Sequence, residues 1–346
     1  MEDFLNQFLS NTVKLIDVRS PSEFDRGSMP KAKNFPILTD SERHEIGIIY
    51  KRSGKEKAIQ AGKKLVSGPI KEQRVDSWIN FIGEPNNCWI YCWRGGLRSE
   101  IAQQWIKERG VTIPRLKGGF KALRNYFMSV LENAPSQKSW YVLGGRTGSG
   151  KTLLIRDRHH LDSIDLEGLA NHRGSAFGDL PDTQPTPINF ENYLATAFLQ
   201  HPTERVLVED EGRTIGRLAI PTAWYNHMRS VPLIIMETPF LERVQNIKQE
   251  YVVEPLSQGR NKNELHEHYQ NSLKKISRRL GGLGTKRIRQ CMKEAFKTNE
   301  HESWIAELLN SYYDPAYDYQ IAKKTSRIVF QGDDREVGEF LDELHD

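Results

Sequence analysis

The sequence has few cysteines, no long hydrophobic run and little excess charge, and each shortage argues against a class of protein. Three cysteines in 346 residues are too few for a disulfide framework, so we expect a reducing compartment. No apolar run is long enough to span a bilayer, and residues 1–4 do not begin a secretory signal, so we expect a cytoplasmic protein without a membrane partner. A net charge of +4 indicates a nucleic-acid partner only if the positive charge is concentrated.

The length and composition are those of an ordinary globular protein. Hydrophobic residues make up 38% and charged residues 27%, and a chain of 346 residues predicts two domains, each with its own core. Residues 132–138 are polar and contain a proline, which is typical of a linker. We therefore predict a first domain at residues 1–134 and a second at residues 138–346.

A cysteine-containing loop is the first candidate for chemistry. Residues 92–99 (CWRGGLRS) follow the apolar stretch 88–91, a predicted buried strand, and precede a helical pattern. The backbone N–H groups of such a loop and the start of a helix favour anions. Arg94 and Arg98 add full charges, so Cys92 is predicted to be a nucleophile. Cys88 lies about 13 Å away along the strand, at roughly 3.3 Å per residue, beyond disulfide reach, and is predicted to be a core residue.

This loop resembles the active-site loop of the rhodanese family, in which a cysteine carries sulfur or selenium. Residues 17–32 resemble the N-terminal signature of that family, with Asp17 and Arg19 predicted to hold a strand end, and residues 116–120 resemble its closing element. The charged helical segment 43–66 resembles an insertion. The loop is one residue longer than in common rhodanese sulfurtransferases, and its C-x₅-R spacing also resembles that of protein phosphatases. A sulfurtransferase, a phosphatase and a selenophosphate user are all compatible with the loop alone.

The second domain is predicted to begin with a phosphate-binding element. Residues 145–152 (GRTGSGKT) form a complete G-x₄-G-K-T loop between a predicted strand at residues 140–144 and a helix. Glycines let the backbone wrap a phosphate, the lysine supplies a point charge, and the threonine can hold Mg²⁺. The predicted phosphate-binding residues are Gly145, Arg146, Thr147, Gly148, Ser149, Gly150, Lys151 and Thr152.

Two later segments supply further candidates. Residues 205–211 (RVLVEDE) form an apolar strand ending in acids, as in a Walker B element, and Glu209 or Asp210 is a candidate metal ligand through water. Residues 165–178 place His172 and Arg173 among small residues, which indicates a ligand-facing loop.

The positive charge is concentrated between residues 273 and 293. Eight basic residues and no acid lie there in a helix–Gly-Gly–helix pattern, and four tyrosines follow at residues 312–319. Basic patches near aromatic residues suit single-stranded or loop RNA, although a solvated basic face is the alternative. The predicted RNA-binding residues are Lys274, Lys275, Arg278, Arg279, Lys286, Arg287 and Arg289.

These motifs, in this order, resemble the tRNA 2-selenouridine synthase family over nearly the whole chain. The segment 165–178 (DLEGLANHRGSAFG) is the most specific of them. The resemblance implies an α/β fold with two doubly wound parallel-sheet domains, rhodanese-like followed by P-loop NTPase-like. It also implies replacement of sulfur by selenium at carbon 2 of wobble 2-thiouridine in the tRNA anticodon loop. Selenophosphate would be the selenium donor, and no DNA partner is expected.

The resemblance further implies a geranyl transfer from geranyl diphosphate to the thiocarbonyl sulfur, so that selenium can displace it. Cys92 would carry the selenium, Arg94 and Arg98 would hold the anion, and Lys151 and Thr152 would hold a diphosphate, with Mg²⁺ as a candidate ion. Two other classes stay open. One is a rhodanese-fold sulfurtransferase or phosphatase fused to a small-molecule P-loop kinase, and the other is a non-catalytic nucleotide-dependent RNA-binding module.

Overall fold

The computed structural model describes residues 1–83, 87–157 and 163–345. Contacts divide the chain into two compact units, residues 1–132 with 185–200 and residues 133–184 with 201–346. The change of unit at residue 132 falls at the start of the stretch interpreted as a linker. The return of residues 185–200 to the first unit has no signal in the sequence.

Helices and strands alternate along most of the chain. The strands are β1 (Lys14–Asp17), β2 (Ala32–Asn34), β3 (Cys88–Tyr91), β4 (Ser139–Gly145), β5 (Ser163–Ile164), β6 (Arg205–Glu209), β7 (Thr214–Ile215), β8 (Leu218–Ala219), β9 (Leu233–Met236) and β10 (Ile328–Gly332). The helices are α1 (Glu2–Leu9), α2 (Pro21–Arg26), α3 (Asp40–Leu65), α4 (Gly68–Ile82), α5 (Leu97–Glu108), α6 (Gly119–Asn133), α7 (Lys151–Asp157), α8 (Leu166–Ala170), α9 (Pro187–Gln200), α10 (Thr222–Met228), α11 (Phe240–Lys248), α12 (Glu254–Ser257), α13 (Lys262–Leu280), α14 (Gly282–Thr298), α15 (Glu302–Leu308), α16 (Asp314–Ile321) and α17 (Asp334–His345).

The first unit is built on a parallel sheet with the strand order β2-β1-β3. The predicted serine cap of α2 is confirmed as a capping box, in which Ser20 and Glu23 satisfy each other's backbone N–H groups. The charged segment near residues 43–66 is helical, as predicted, and α3 buries only Ala58. It therefore adds little to the core, which is formed by β1, β3, α4 and α5.

The second unit contains a five-stranded parallel sheet with the order β10-β9-β4-β6-β5. The central strand β4 pairs with β6 and β9, and side chains of all three are buried because helices cover the sheet. The chains leaving β4 and β6 emerge at the same edge of the sheet, since the strands are parallel. This edge therefore brings the phosphate loop and the acids after β6 together. Two parallel sheets with intervening helices confirm the predicted α/β class.

A helical part of the second unit packs around aromatic residues. Tyr251, Tyr269, Phe296 and Trp304 lie in one buried cluster with residues of α11, α13, α14 and α15. The predicted helix–Gly-Gly–helix pattern is confirmed as α13 and α14, which meet at Gly281 with a φ of 78°. Within the described ranges, no helix combines the length and the apolar character needed to cross a membrane.

Candidate functional site

The cysteine loop lies between β3 and α5 in the first unit. Cys92 follows the last residue of the strand, and its side chain is only 3% exposed. Its Sγ lies 3.3 Å from the hydroxyl of Ser99 and 3.8 Å from the carbonyl oxygen of Gly96. The Ser99 hydroxyl donates to that same carbonyl at 3.0 Å. The thiol thus lies at the base of the loop, beside a hydroxyl that the sequence did not single out.

The segment that follows α5 holds the loop in shape. The Phe120 N–H donates to the carbonyl of Cys92 at 2.9 Å. Gly119 and Gly95 have positive φ angles of 57° and 62°, and a Cβ atom on either would overlap backbone atoms of the facing segment. Close backbone contact therefore requires glycine at both positions. This packing explains why the segment 116–120 accompanies the cysteine loop in the sequence.

The loop presents unpaired amide groups around the thiol. Within the described ranges, the backbone N–H groups of residues 93–97 have no hydrogen-bond acceptor. Such groups at the start of a helix are suited to hold an anion. Because α5 has 12 residues, its dipole adds to this preference.

The two arginines of the loop differ in their partners. Arg98 forms a bidentate ion pair with Glu23, with Nη1 at 2.5 Å from the carboxylate, and Arg43 contacts the same carboxylate at 3.0 Å. Burial alone would raise the pKa of Glu23, but the hydrogen bond and charge of Arg98 lower it. Arg94 is exposed and has no ion pair with any described residue. Arg94 is therefore the loop arginine whose charge is uncompensated.

Two expectations about neighbouring residues are confirmed. Cys88 is fully buried in β3, its thiol is free, and burial raises its pKa to about 12. Asp17 and Arg19 form a buried ion pair at 2.6 Å, and the Arg19 guanidinium also donates to the carbonyl of Gly27. Both residues therefore hold the end of β1.

The phosphate loop lies between β4 and α7 in the second unit. Gly148 and Gly150 have φ angles of 79° and 87°, which a residue with a side chain rarely adopts. The Lys151 ammonium donates to the carbonyl of Gly145 at 3.1 Å and to the hydroxyl of Ser149 at 3.3 Å. Asn246, from α11, donates to the carbonyl of Gly148 at 3.0 Å. The loop is held from outside, and its lysine lies across it.

The structure separates the two Walker B candidates. The hydroxyl of Thr152 donates to Glu209 at 2.9 Å. Asp210 instead forms an ion pair with Lys324 at 2.5 Å. Glu209 is therefore the acid that lies beside the phosphate loop. Mg²⁺ keeps several waters and takes one or two carboxylates, so Thr152 and Glu209 are a suitable pair to hold it with phosphate oxygens.

Two further glutamates lie near Glu209. Burial and the negative charges of Glu211 and Glu209 raise the pKa of Glu167 to about 9. Burial also raises the pKa of Glu211, and it raises that of Glu209 to about 7 although Lys151 opposes the rise. Among the residues the structure describes, no group of three or more His, Cys, Asp or Glu side chains is arranged as a metal site. With these raised pKa values, part of the carboxyl cluster is protonated near neutral pH.

The phosphate loop opens into a cavity of about 490 Å³. His172 and Arg173 line it, as the segment 165–178 predicted. The His172 ring lies 3.3 Å from Asp179 and burial lowers its pKa, and Arg173 pairs with Glu250 at 2.6 Å. Other lining residues were not predicted, including Glu167, Glu211, Asn246, Tyr313 and Tyr317. Glu167 lay within a segment already identified, whereas no sequence signal connects Asn246 to the loop.

The remaining phosphate-loop and basic residues have varied surroundings. Arg146 pairs with Asp318 of α16 rather than standing free. All the predicted RNA-binding residues are exposed on α13 and α14. Lys275 pairs with Asp179 at 2.7 Å and Arg287 pairs with Glu307. The ion-pair-free basic residues within the described ranges are Lys274, Arg278, Arg279, Lys286 and Arg289.

Comparison with known families gives two matches that together cover nearly the whole chain. Residues 1–126 match the rhodanese-like domain, and residues 138–346 match the tRNA 2-selenouridine synthase AAA domain. These matches fall on the cysteine loop and on the phosphate loop, respectively.

Curated relatives match over almost their full length. A tRNA 2-selenouridine synthase of Shewanella woodyi is 42% identical over 95% of this chain and 93% of its own. One of Sulfurovum sp. is 44% identical over 99% of this chain and 97% of its own. Among solved structures, the N-terminal domain of an ATP/GTP-binding protein from Clostridium difficile 630 is 33% identical, covering 33% of this chain and 88% of that one. Its TM-score of 0.30 carries no argument.

Proposed function

Because this chain belongs to the tRNA 2-selenouridine synthase family, we propose that it replaces the sulfur of wobble 2-thiouridine in tRNA with selenium. We further propose selenophosphate as the selenium donor and geranyl diphosphate as an alkylating co-substrate. The observation that carries the proposal is that one chain of this family holds both a thiol in an anion-binding loop and a phosphate loop with its lysine. Each element suits one of the two co-substrates.

Selenium loading belongs to the cysteine loop. The Cys92 sulfur attacks the selenium of selenophosphate, so that an S–Se bond forms, the Se–P bond breaks and phosphate leaves. The free amides of residues 93–97 and the charge of Arg94 hold the anionic phosphate group during this step. Arg98 contributes less charge, because Glu23 compensates it.

Alkylation belongs to the phosphate loop. The thiocarbonyl sulfur forms a bond to the geranyl carbon while the carbon–oxygen bond to diphosphate breaks. Lys151 and the loop amides neutralise the charge that develops on the diphosphate. Mg²⁺, where bound by Thr152 and Glu209, supplies further neutralisation. Alkylated sulfur is a better leaving group than a thiocarbonyl sulfur, so selenium can then displace it as thiogeraniol.

The direct test is to incubate the purified protein with 2-thiouridine tRNA, selenophosphate and geranyl diphosphate, and to identify the nucleosides by mass. We expect 2-selenouridine and an S-geranyl intermediate. Turnover of thiosulfate or a phosphoester without any change in tRNA would favour a sulfurtransferase or phosphatase instead.

The two thiols of the first unit provide a matched comparison. Cys92→Ser should abolish selenium transfer but leave geranylation intact, because alkylation of an exposed sulfur requires no enzyme thiolate. Cys88→Ser should retain both, since Cys88 is buried away from the loop. Loss of both products in a folded Cys92→Ser protein would contradict this division of labour.

The ligand of the phosphate loop is tested by competition. Lys151→Ala should abolish geranylation while Cys92 still takes up selenium, because each step uses a different loop. Geranyl diphosphate should displace a fluorescent nucleotide from the wild-type protein, and geranylation should proceed without ATP. A strict ATP requirement with no mutual displacement would establish a nucleotide site instead.

A further inference from the structure

Trp93, which directly follows the candidate nucleophile, has an unusual environment. Its side chain is 39% exposed, although Tyr91 and Cys92 before it are 0% and 3% exposed. The ring stacks on Phe120 with centroids 5.4 Å apart and planes 28° apart. Its carbonyl accepts a hydrogen bond from the Lys121 N–H at 2.9 Å. Trp93 is therefore held on one side and exposed at the mouth of the loop.

The surroundings of the Trp93 ring are positively charged. Arg94, Lys117 and Lys121 are exposed, and none forms an ion pair within the described ranges. Lys121 is bonded through its backbone to Trp93, and Lys117 lies in the segment whose glycines touch the cysteine loop. An acid in this neighbourhood, Glu100, lies 3.9 Å from another cation, Arg115. An exposed aromatic ring within a cluster of cations suits single-stranded nucleic acid, whose bases stack while its phosphates are neutralised.

We propose that Trp93 is the stacking platform for an unpaired anticodon base of the tRNA, and that it positions carbon 2 of the wobble base over the Cys92 loop. The inference rests on the proposed function, because it takes the wobble base as the substrate. Cys92 lies at the base of the loop, so the base must be brought to the loop mouth. A base stacked on Trp93 can overhang that mouth, where selenium carried on the sulfur approaches the ring from its face.

This arrangement assigns the nearby groups separate tasks. Trp93 provides stacking, which depends little on salt, whereas Lys117 and Lys121 provide phosphate contacts, which weaken as salt rises. Neither task is needed to take selenium from selenophosphate. Trp93 is therefore a positioning residue for RNA and not part of the step that loads Cys92.

The test uses full-length protein whose Cys92 has been loaded with selenium, and an anticodon stem-loop RNA carrying S-geranyl-2-thiouridine. Single-turnover rates measured against RNA concentration give the half-saturating concentration and the maximal rate separately. Trp93→Ala should raise the half-saturating concentration about 5- to 150-fold, the range expected for one base stack. Trp93→Phe should restore most of the affinity. Tyr50→Ala, at a 57% exposed aromatic on α3, is the matched control and should change nothing.

Two further measurements separate stacking from other roles. Trp93→Leu keeps an apolar side chain on Phe120 and thus the fold, but should bind RNA as weakly as Trp93→Ala. The salt dependence should be unchanged in the Trp93 variants, whereas Lys121→Ala should reduce the slope of log affinity against log salt by about 0.7. Selenium uptake, followed by intact-protein mass, should stay within about twofold of wild type in all variants.

The possible failures are distinguishable. Equal half-saturation in wild type and in folded Trp93→Leu protein would overturn the inference, as would an equal loss of selenium uptake, since the ring would then be part of the loading pocket. A wild-type protein that converts no RNA at all would refute the proposed function itself.

Discussion

Replacement of Glu209 by glutamine should stabilise the protein in a pH-dependent way. Glu209 is 3% exposed, and burial raises its pKa from 4.5 to about 7 against the attraction of Lys151. A raised carboxyl pKa means that the folded state binds the proton more tightly than the unfolded state. The stability of the wild-type protein therefore falls as the pH rises from about 4.5 to about 7. Glutamine keeps the acceptor for Thr152 and carries no charge at any pH.

The size of the effect follows from the pKa difference. Each pKa unit corresponds to about 1.36 kcal/mol, so a difference of about 2.5 gives about 3 kcal/mol at pH 8. At pH 5 the same linkage gives less than about 1 kcal/mol. For a domain of about 200 residues, about 3 kcal/mol raises Tm by about 6–12 °C.

The assay is thermal unfolding of the full-length wild-type and Glu209→Gln proteins at pH 5 and pH 8, without ligand. Glu267→Gln, at an exposed position on α13, is the matched control and should give the same small change in Tm at both pH values. An equal Tm gain at both pH values, or a loss of stability at pH 8, would refute the reasoning. The stabilised variant should bind diphosphate with Mg²⁺ more weakly, because Glu209 lies beside the phosphate loop.

Three further predictions concern stability and RNA binding. Arg19→Met should destabilise the folded protein by about 3–5 kcal/mol in urea unfolding, because it leaves Asp17 buried without its partner. Gly119→Ala should slow selenium uptake at least tenfold in kinetic assays, because its Cβ would displace the carbonyl of Cys92. Alanine at four unpaired basic residues should flatten the salt dependence of tRNA binding by about 0.7 to 0.9 for each phosphate that is no longer neutralised, whereas Arg287→Ala alone should do less. The four residues are Arg278, Arg279, Lys286 and Arg289.

Both loops could be identified from the sequence because their geometry is local. The glycines at residues 148 and 150 adopt positive φ angles that only their own positions in the loop require. The buried strand before Cys92, and the cap of α2 at Ser20, likewise depend on residues within a few positions of each other. Such short-range requirements are recorded directly in the order of residues.

The partners of the site residues were decided by tertiary structure. Arg98 is compensated by Glu23, which lies 75 residues away, and Thr152 selects Glu209 over Asp210 across 57 residues. The exposed ring of Trp93 also depends on its packing against an aromatic ring of α6. These contacts arise because strand pairing and core packing bring distant segments together, and neither charge nor periodicity along the chain specifies which side chains then meet. The sequence alone thus determined which residues can perform the chemistry, and the tertiary structure determined which of their charges are free to do so.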